Sequence, residues 1–294
     1  RSVDNYLEPR EFEEAHNAGS KLFRDKESQA AVFLSPFLTL EEMWLGVRFS
    51  REVMGLKIGQ GDVAVQCQTR QLSKIEQVLV SPDYAPNARA ATLLGVVPES
   101  PSWRELLQAD YEDLLDRVRN RSVDRVLILG DFAILPQHLD QELIAGILKA
   151  GISLSIGSFG VLRGESTEDE ELGVQQLCQV LLPSPSVYEN SGLMVNKDLR
   201  VQRIRQVLPN AVDTPTISQH LFQLSKRAGR PLLNNEPDSP RTLFKEMSAA
   251  LPFLEGLSLA SIGDEGVALG ANSGGMASAG SKTSASSSTS EGRP

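Results

Sequence analysis

Two short stretches of the chain are apolar at every position. They are Ala30-Ala31-Val32-Phe33-Leu34 and, inside Arg125 to Gly130, Val126-Leu127-Ile128-Leu129. A strand with one face in water alternates apolar and polar residues, because successive side chains point to opposite faces. A run that does not alternate must be covered on both faces, and at this length it reads as a buried strand of a parallel sheet. Other strand candidates are Asp62 to Val65, Ile152 to Ile156 and Leu177 to Leu182.

Helical signals fall between these runs. Thr39 followed by Glu42 has the spacing of a capping box, and Leu40, Met43, Trp44, Val47 and Met54 keep near-helical spacing, with Gly55 as a stop. Ser102 and Glu105 repeat the capping-box spacing ahead of Trp103, Leu106, Leu107, Tyr111, Leu114, Leu115 and Val118. After Pro136 the residues Leu139, Leu143, Ile144, Ile147 and Leu148 share one helical face, and Gly151 follows. Strands alternating with helices imply a parallel, Rossmann-like α/β sheet with helices on both faces. The expected organisation is an N-terminal extension over 1–29, the α/β domain over 30–208 and a helical C-terminal extension over 209–269. Within that extension, short helices are expected at Thr216 to Ala228 and Ser239 to Ala250. Residues 270–294 are Gly/Ser-rich and almost without large apolar side chains, the composition of a disordered tail.

Composition removes several classes of function. The net charge is -9, the opposite of the basic footprint that nucleic acid requires. No apolar run approaches the ~18 residues of a membrane-spanning helix, and the polar, acidic start RSVDNYLEPREFEE is no signal peptide. The reading is a cytoplasmic chain, with peripheral attachment to a membrane complex compatible with it. Cys67 and Cys178 stand far apart, and His16, His138 and His220 are scattered. Neither an iron–sulfur set of four thiolates nor a zinc site of paired ligands is present. The two cysteines read as small buried apolar residues.

Candidate chemistry is sparse. Ligands of a parallel sheet bind beyond the carboxyl ends of its strands. Of those ends, Gly130-Asp131 is the best placed for a nucleotide contact, with an ordinary strand-end turn as the plainer reading. Neither GxGxxG nor a P-loop accompanies it. Ser35 and Ser158 lack the setting of a nucleophile. The carboxylates Asp169-Glu170-Glu171 read as a solvated loop. Arg200 to Arg205 alternates charged and apolar residues, either as a strand with a charged outer face or as a basic rim for a partner.

The remaining motif is Leu182 to Gln202, LPSPSVYENSGLMVNKDLRVQ. Pro183 and Pro185 end a strand. Glu189 and Asn190 are suited to bonding backbone groups in a turn, Gly192 to supplying a positive φ, and Asn196 and Arg200 to bridging loop segments. The spacing of Leu182-Pro183, Glu189, Gly192, Asn196, Arg200 and Gln202 resembles a segment of molybdopterin oxidoreductase-type domains, roughly LP…E..GT..N.EGR.Q. Ala31 to Glu42, AVFLSPFLTLEE, resembles that family's strand–SP.LTNEE–helix stretch. Pro86-Asn87-Ala88-Arg89-Ala90, with Leu93-Leu94-Gly95-Val96, is similar to its N.RGA…LGV, and Val126 to Asp131 to its YVLGE/N strand. The matches keep their order over roughly residues 30–205. Within that superfamily the arrangement is most similar to the C-terminal part of the large iron–sulfur subunit of NADH:quinone oxidoreductase, complex I.

That resemblance implies a molybdopterin oxidoreductase-type fold without its molybdenum, and a non-catalytic subunit or domain taking part in assembly of the peripheral electron-transfer arm. Other subunits of that complex would be its partners, on the cytoplasmic face of the membrane. The iron–sulfur region of the family is absent here. Leu193 stands for the family threonine, Asp198 for the glutamate and Leu199 for the glycine of EGR. Asp131 replaces the asparagine common in cofactor binders, and an acidic group there repels a pyrophosphate. Nothing matches the molybdenum ligand. The alternative is a partial oxidoreductase that binds a molybdopterin-guanine dinucleotide, with its metal ligand supplied by a partner chain. A stand-alone small-molecule binder is a third, weaker reading.

Overall fold

The computed structural model describes residues 10–23, 29–66, 85–130, 145–147, 152–157, 178–210 and 213–269. Five strands form one parallel sheet: β1 (Ala30–Leu34), β2 (Val63–Val65), β3 (Arg125–Leu129), β4 (Ile152–Gly157) and β5 (Val180–Pro183), in the order β2-β1-β3-β4-β5. Every neighbouring pair is parallel. The chain crosses from one side of β1 to the other between β2 and β3, so the switch point of the sheet lies between the carboxyl ends of β1 and β3. In open α/β sheets this crevice is where ligands bind.

The continuous apolar runs are covered on both faces. Val32, Leu34, Leu127 and Leu129 point into one cluster with α2 (Leu40–Arg48), α5 (Ile217–Arg227) and α6 (Pro240–Ala250). Ala31, Phe33, Val126 and Ile128 point the other way, against Tyr111, Leu114, Leu115 and Val118 of α4 (Trp103–Arg119). Cys178 is buried in this second cluster, while Cys67 lies outside the described residues. The remaining short elements of the helical layer are α1 (Phe12–Leu22) and α3 (Ala90–Leu93).

Thr39 caps α2 with the full reciprocal pair: Glu42 N–H donates to Thr39 Oγ1 at 3.2 Å and Thr39 N–H to Glu42 Oε2 at 3.0 Å. From Leu40 to Val47 every residue of this helix is buried; it continues as a π-helical turn, Phe49–Val53, capped at Met54, and the expected stop, Gly55, follows with a φ of 80°. Ser239 with Pro240 starts α6, also as the sequence predicts. Ser102 does not form its expected box. Its φ of -96° and ψ of 26° continue the preceding turn, and its side chain makes no cap bond. A capping side chain needs extended backbone at that position to face the N3 amide.

A second, smaller sheet escaped the sequence reading. Strands β6 (Gly192–Val195), β7 (Arg200–Ile204) and β8 (Val267–Ala268) pair antiparallel in the order β6-β7-β8. The alternating Arg200 to Arg205 run is therefore largely a strand. A short helix, α7 (Leu259–Ile262), leads to β8. Leu193, Val195 and Val201 join the core of the parallel sheet, as do Leu221, Phe244 and Met247 from the C-terminal helices. Most of the helix expected after Pro136, the acidic stretch 163–171 and the tail 270–294 lie outside the described residues. Among the described residues no helix is long and apolar enough to cross a membrane.

Candidate functional site

At the switch point, the carboxyl ends of β1 and β3 meet the start of α2 and the segment 184–195. Gly130 ends β3 with a φ of 81°. A Cβ there would lie 2.8 Å from Leu38 Cδ2 and from Ser35 Cβ. The glycine is thus consumed by close packing against the β1–α2 turn. Asp131, the other candidate contact, lies outside the described residues.

The polar residues around this point hold one another. Asn87 Nδ2 donates to the Leu38 carbonyl at 2.8 Å, and its Oδ1 accepts from Val195 N–H at 2.7 Å. Glu41 Oε2 accepts from Leu193 N–H at 2.9 Å. Leu193 and Val195 are alternate residues of β6, so their amides face the same way, along the edge opposite β7. An edge strand leaves such donors open to another strand. Here Glu41 and Asn87 stand in for that strand. Asn190 completes the junction by donating from Nδ2 to Glu42 Oε1 at 2.8 Å. Segments 39–42, 87 and 190–195, far apart in sequence, are joined by these bonds.

Gly192 is required here for a reason other than the expected one. Its φ is not positive. A Cβ on it would meet Thr39 Cγ2 at 2.7 Å, Thr39 Cβ at 2.8 Å and Glu41 Oε2 at 2.9 Å. The glycine lets β6 approach the capped end of α2. The left-handed turn lies instead at Leu199, with a φ of 56°. This is the position at which the resembled motif carries glycine.

The other motif residues serve the flanking turns. Glu189 Oε2 accepts from Ser186 N–H at 3.0 Å and Ser186 Oγ at 2.8 Å. Asn196 Oδ1 accepts from the amides of Asp198 and Arg200 at 3.0 and 2.9 Å, closing the β6–β7 hairpin. Arg200 Nη1 donates to the carbonyls of Glu265 and Gly266, tying β7 to the approach to β8. Gln202 stands opposite Met194 in the β6–β7 ladder. Glu41 and Asn87 escaped assignment as site residues. For Glu41 the local signal is its pairing with Glu42 at the start of a helix that is otherwise mostly apolar.

Burial makes Glu41 electrostatically unusual. It is 2% exposed, and its Oε1 has no hydrogen-bond partner among the described residues. Removal from water pushes its carboxyl up to about 7, against the opposing pull of the Leu193 amide. A second buried polar pair lies beside the end of β5. His220 Nε2 is 2.7 Å from the Pro183 carbonyl, which only accepts, so that nitrogen carries the proton. His220 Nδ1 then accepts from His16 Nε2 at 2.8 Å. Burial holds both imidazoles down at about 4.

The space that the described residues enclose at the switch point is small. A cavity of about 40 Å³ is lined by Leu38, Thr39, Glu42, Gly130, Ser184 and Asn190, among others. It has room for roughly three waters at most, whereas nucleotide and drug-sized ligands occupy several hundred Å³. Ser184 Oγ is buried there without a partner among the described residues, a place suited to such a water. Broader hollows of about 410 and 570 Å³ flank α2 and meet at Arg48 and Glu246. Arg48 is already held there by Glu52 at 2.8 and 2.9 Å. Among the described residues no group of three or more His, Cys, Asp or Glu is placed to hold a metal ion.

No protein-family model matches the chain, and a search of curated proteins finds no significant match.

Proposed function

We propose that the chain is a non-catalytic subunit or domain of an NADH:quinone oxidoreductase of the complex I type, packing within the peripheral arm. The observation that carries this reading is the junction. Segments that resemble the large iron–sulfur subunit of that complex (31–42, 86–90 and 182–202) meet at the switch point. Their polar groups there bind each other. A polar cluster that is spent on its own chain serves to fix the fold, and the fold then presents surfaces to neighbours. Partner subunits and a place on the cytoplasmic side of the membrane complex belong to the same proposal.

The described residues do not fit a molybdopterin-guanine dinucleotide. The approach that Gly130 offers is filled by Leu38 and Ser35, and the cavity beside it is smaller than one nucleotide. No chemical step is assigned to the chain. The test is to solubilise membranes of the source cell gently, separate intact complexes, and follow the chain against NADH dehydrogenase activity. Migration with the activity is the expected result. Migration as a free protein overturns the proposal.

A further inference from the structure

Among the described residues few large apolar side chains are left in water, and three of them are neighbours. Tyr188 is 64% exposed, Val207 76% and Leu208 52%. The amides of Val207 and Leu208 both donate to the Tyr188 carbonyl, at 2.9 and 3.0 Å. The amide of Gln206 donates to Ser191 Oγ at 2.9 Å. Three consecutive amides are thus tied to the loop that Glu189 and Ser186 brace from the other side. The backbone of this ledge is fixed while its apolar side chains stay out of the core. Apolar side chains held in water lose the stabilisation of burial, and groups of them mark contact surfaces.

The chain that leads into the ledge is basic. Arg203, on β7, and Arg205, just past the end of that strand, are exposed. Arg205 pairs with Asp264. Arg203 reaches only the Leu259 carbonyl, at 3.4 Å, and Arg200 only the carbonyls of Glu265 and Gly266. Carbonyls satisfy N–H groups without cancelling charge. Two guanidinium charges therefore lack a carboxylate among the described residues, in a chain whose net charge is -9.

We propose that Tyr188, Val207 and Leu208, with Arg203 on the strand that leads to them, are the docking face for a partner protein that presents an apolar ridge edged by carboxylates. This rests on the subunit reading above and says where the neighbour sits. A second copy of the chain is the poorer occupant, because both copies carry the net charge of -9, which opposes their association. An anionic bilayer is opposed by the overall negative charge.

The experiment uses the full chain, tagged and returned to its source cell, as wild type and with Val207→Asp/Leu208→Ser, Tyr188→Ser or Arg203→Glu. The readouts are the share of chain in the NADH dehydrogenase band, the melting temperature of each purified chain, light scattering, and sedimentation with phosphatidylglycerol vesicles. The expected result is a share reduced about 10-fold or more by the double variant, corresponding to loss of one well-packed contact, with melting within about 2 °C of wild type. Arg203→Glu lowers the share less, and the wild-type share falls with added salt. A double variant that joins the band like wild type overturns the docking face and leaves the subunit reading standing. A wild-type chain absent from the band overturns both. A wild-type dimer broken by the double variant assigns the face to a second copy, and vesicle binding lost in Arg203→Glu assigns it to lipid. Either outcome overturns the proposed partner.

Discussion

Residues 190–195 and residues 203–210 belong to the two ends of one hairpin and are treated in opposite ways. In the first, Asn190, Leu193 and Val195 are bonded to Glu42, Glu41 and Asn87, and Leu193 and Val195 are fully buried. In the second, Val207 and Leu208 have ordered amides and exposed side chains. The difference separates two uses of an ordered loop. One end spends its polar groups to seat the small sheet on the large one. The other holds a surface in place without packing it.

That contrast makes stability the quantity that tells the ends apart. The largest loss is expected from Gly192→Val, whose side chain must displace the Thr39 side chain and the Glu41 carboxylate. Overpacking of this kind costs about 3 kcal/mol, roughly 6–12 °C in melting temperature for a domain of this size. An unchanged melt would detach Gly192 from the junction. Next is Asn87→Ala, which orphans the Leu38 carbonyl and the Val195 amide, for about 2–3 kcal/mol by urea titration. A loss confined to a few tenths would mean that water replaces Asn87 freely.

The third prediction concerns pH. Glu41 has a folded-state value raised from 4.5 to about 7. The folded chain therefore binds the proton more tightly than the unfolded chain, and Glu41 lowers stability as pH rises from 4.5 to 7. His16 and His220 run the other way. Their values are depressed from 6.5 to about 4, so stability falls as pH drops from 6.5 towards 4. Glu41→Gln keeps an acceptor for the Leu193 amide and removes the first effect. Its stability relative to wild type should rise by about 2 kcal/mol between pH 5 and 7, measured by denaturant titration at each pH. A constant difference would show that Glu41 does not titrate in this window. The smallest effect belongs to the exposed end. Tyr188→Ser and Val207→Asp should change folding stability by no more than about 0.5 kcal/mol, and a larger change would make the ledge part of the core.

The large sheet was legible because its signals are local. The unalternating runs at 30–34 and 126–129 announced strands buried on both faces, and Thr39 with Glu42 announced a helix start. The junction was legible only as a list of polar residues. Asn87 meets Val195, and Glu41 meets Leu193, across more than a hundred residues, a distance over which no periodicity carries information. Gly192 was read as a turn residue because glycine is the same letter whether it frees φ or clears space for a neighbour. Leu199 hid the actual left-handed turn, since a leucine gives no sign of one. Ser102 had the right spacing for a cap and the wrong backbone for it.

On the reading proposed above, the described residues fill the switch point with the chain's own side chains, which serve the fold. The direct measurement is to purify the full chain from its source cell, release any bound pterin by acid oxidation, and quantify its fluorescence together with molybdenum. Neither is expected above background, with the melting temperature unaffected by added pterin. A pterin or metal content approaching one per chain would contradict it and make the junction the wall of a cofactor site.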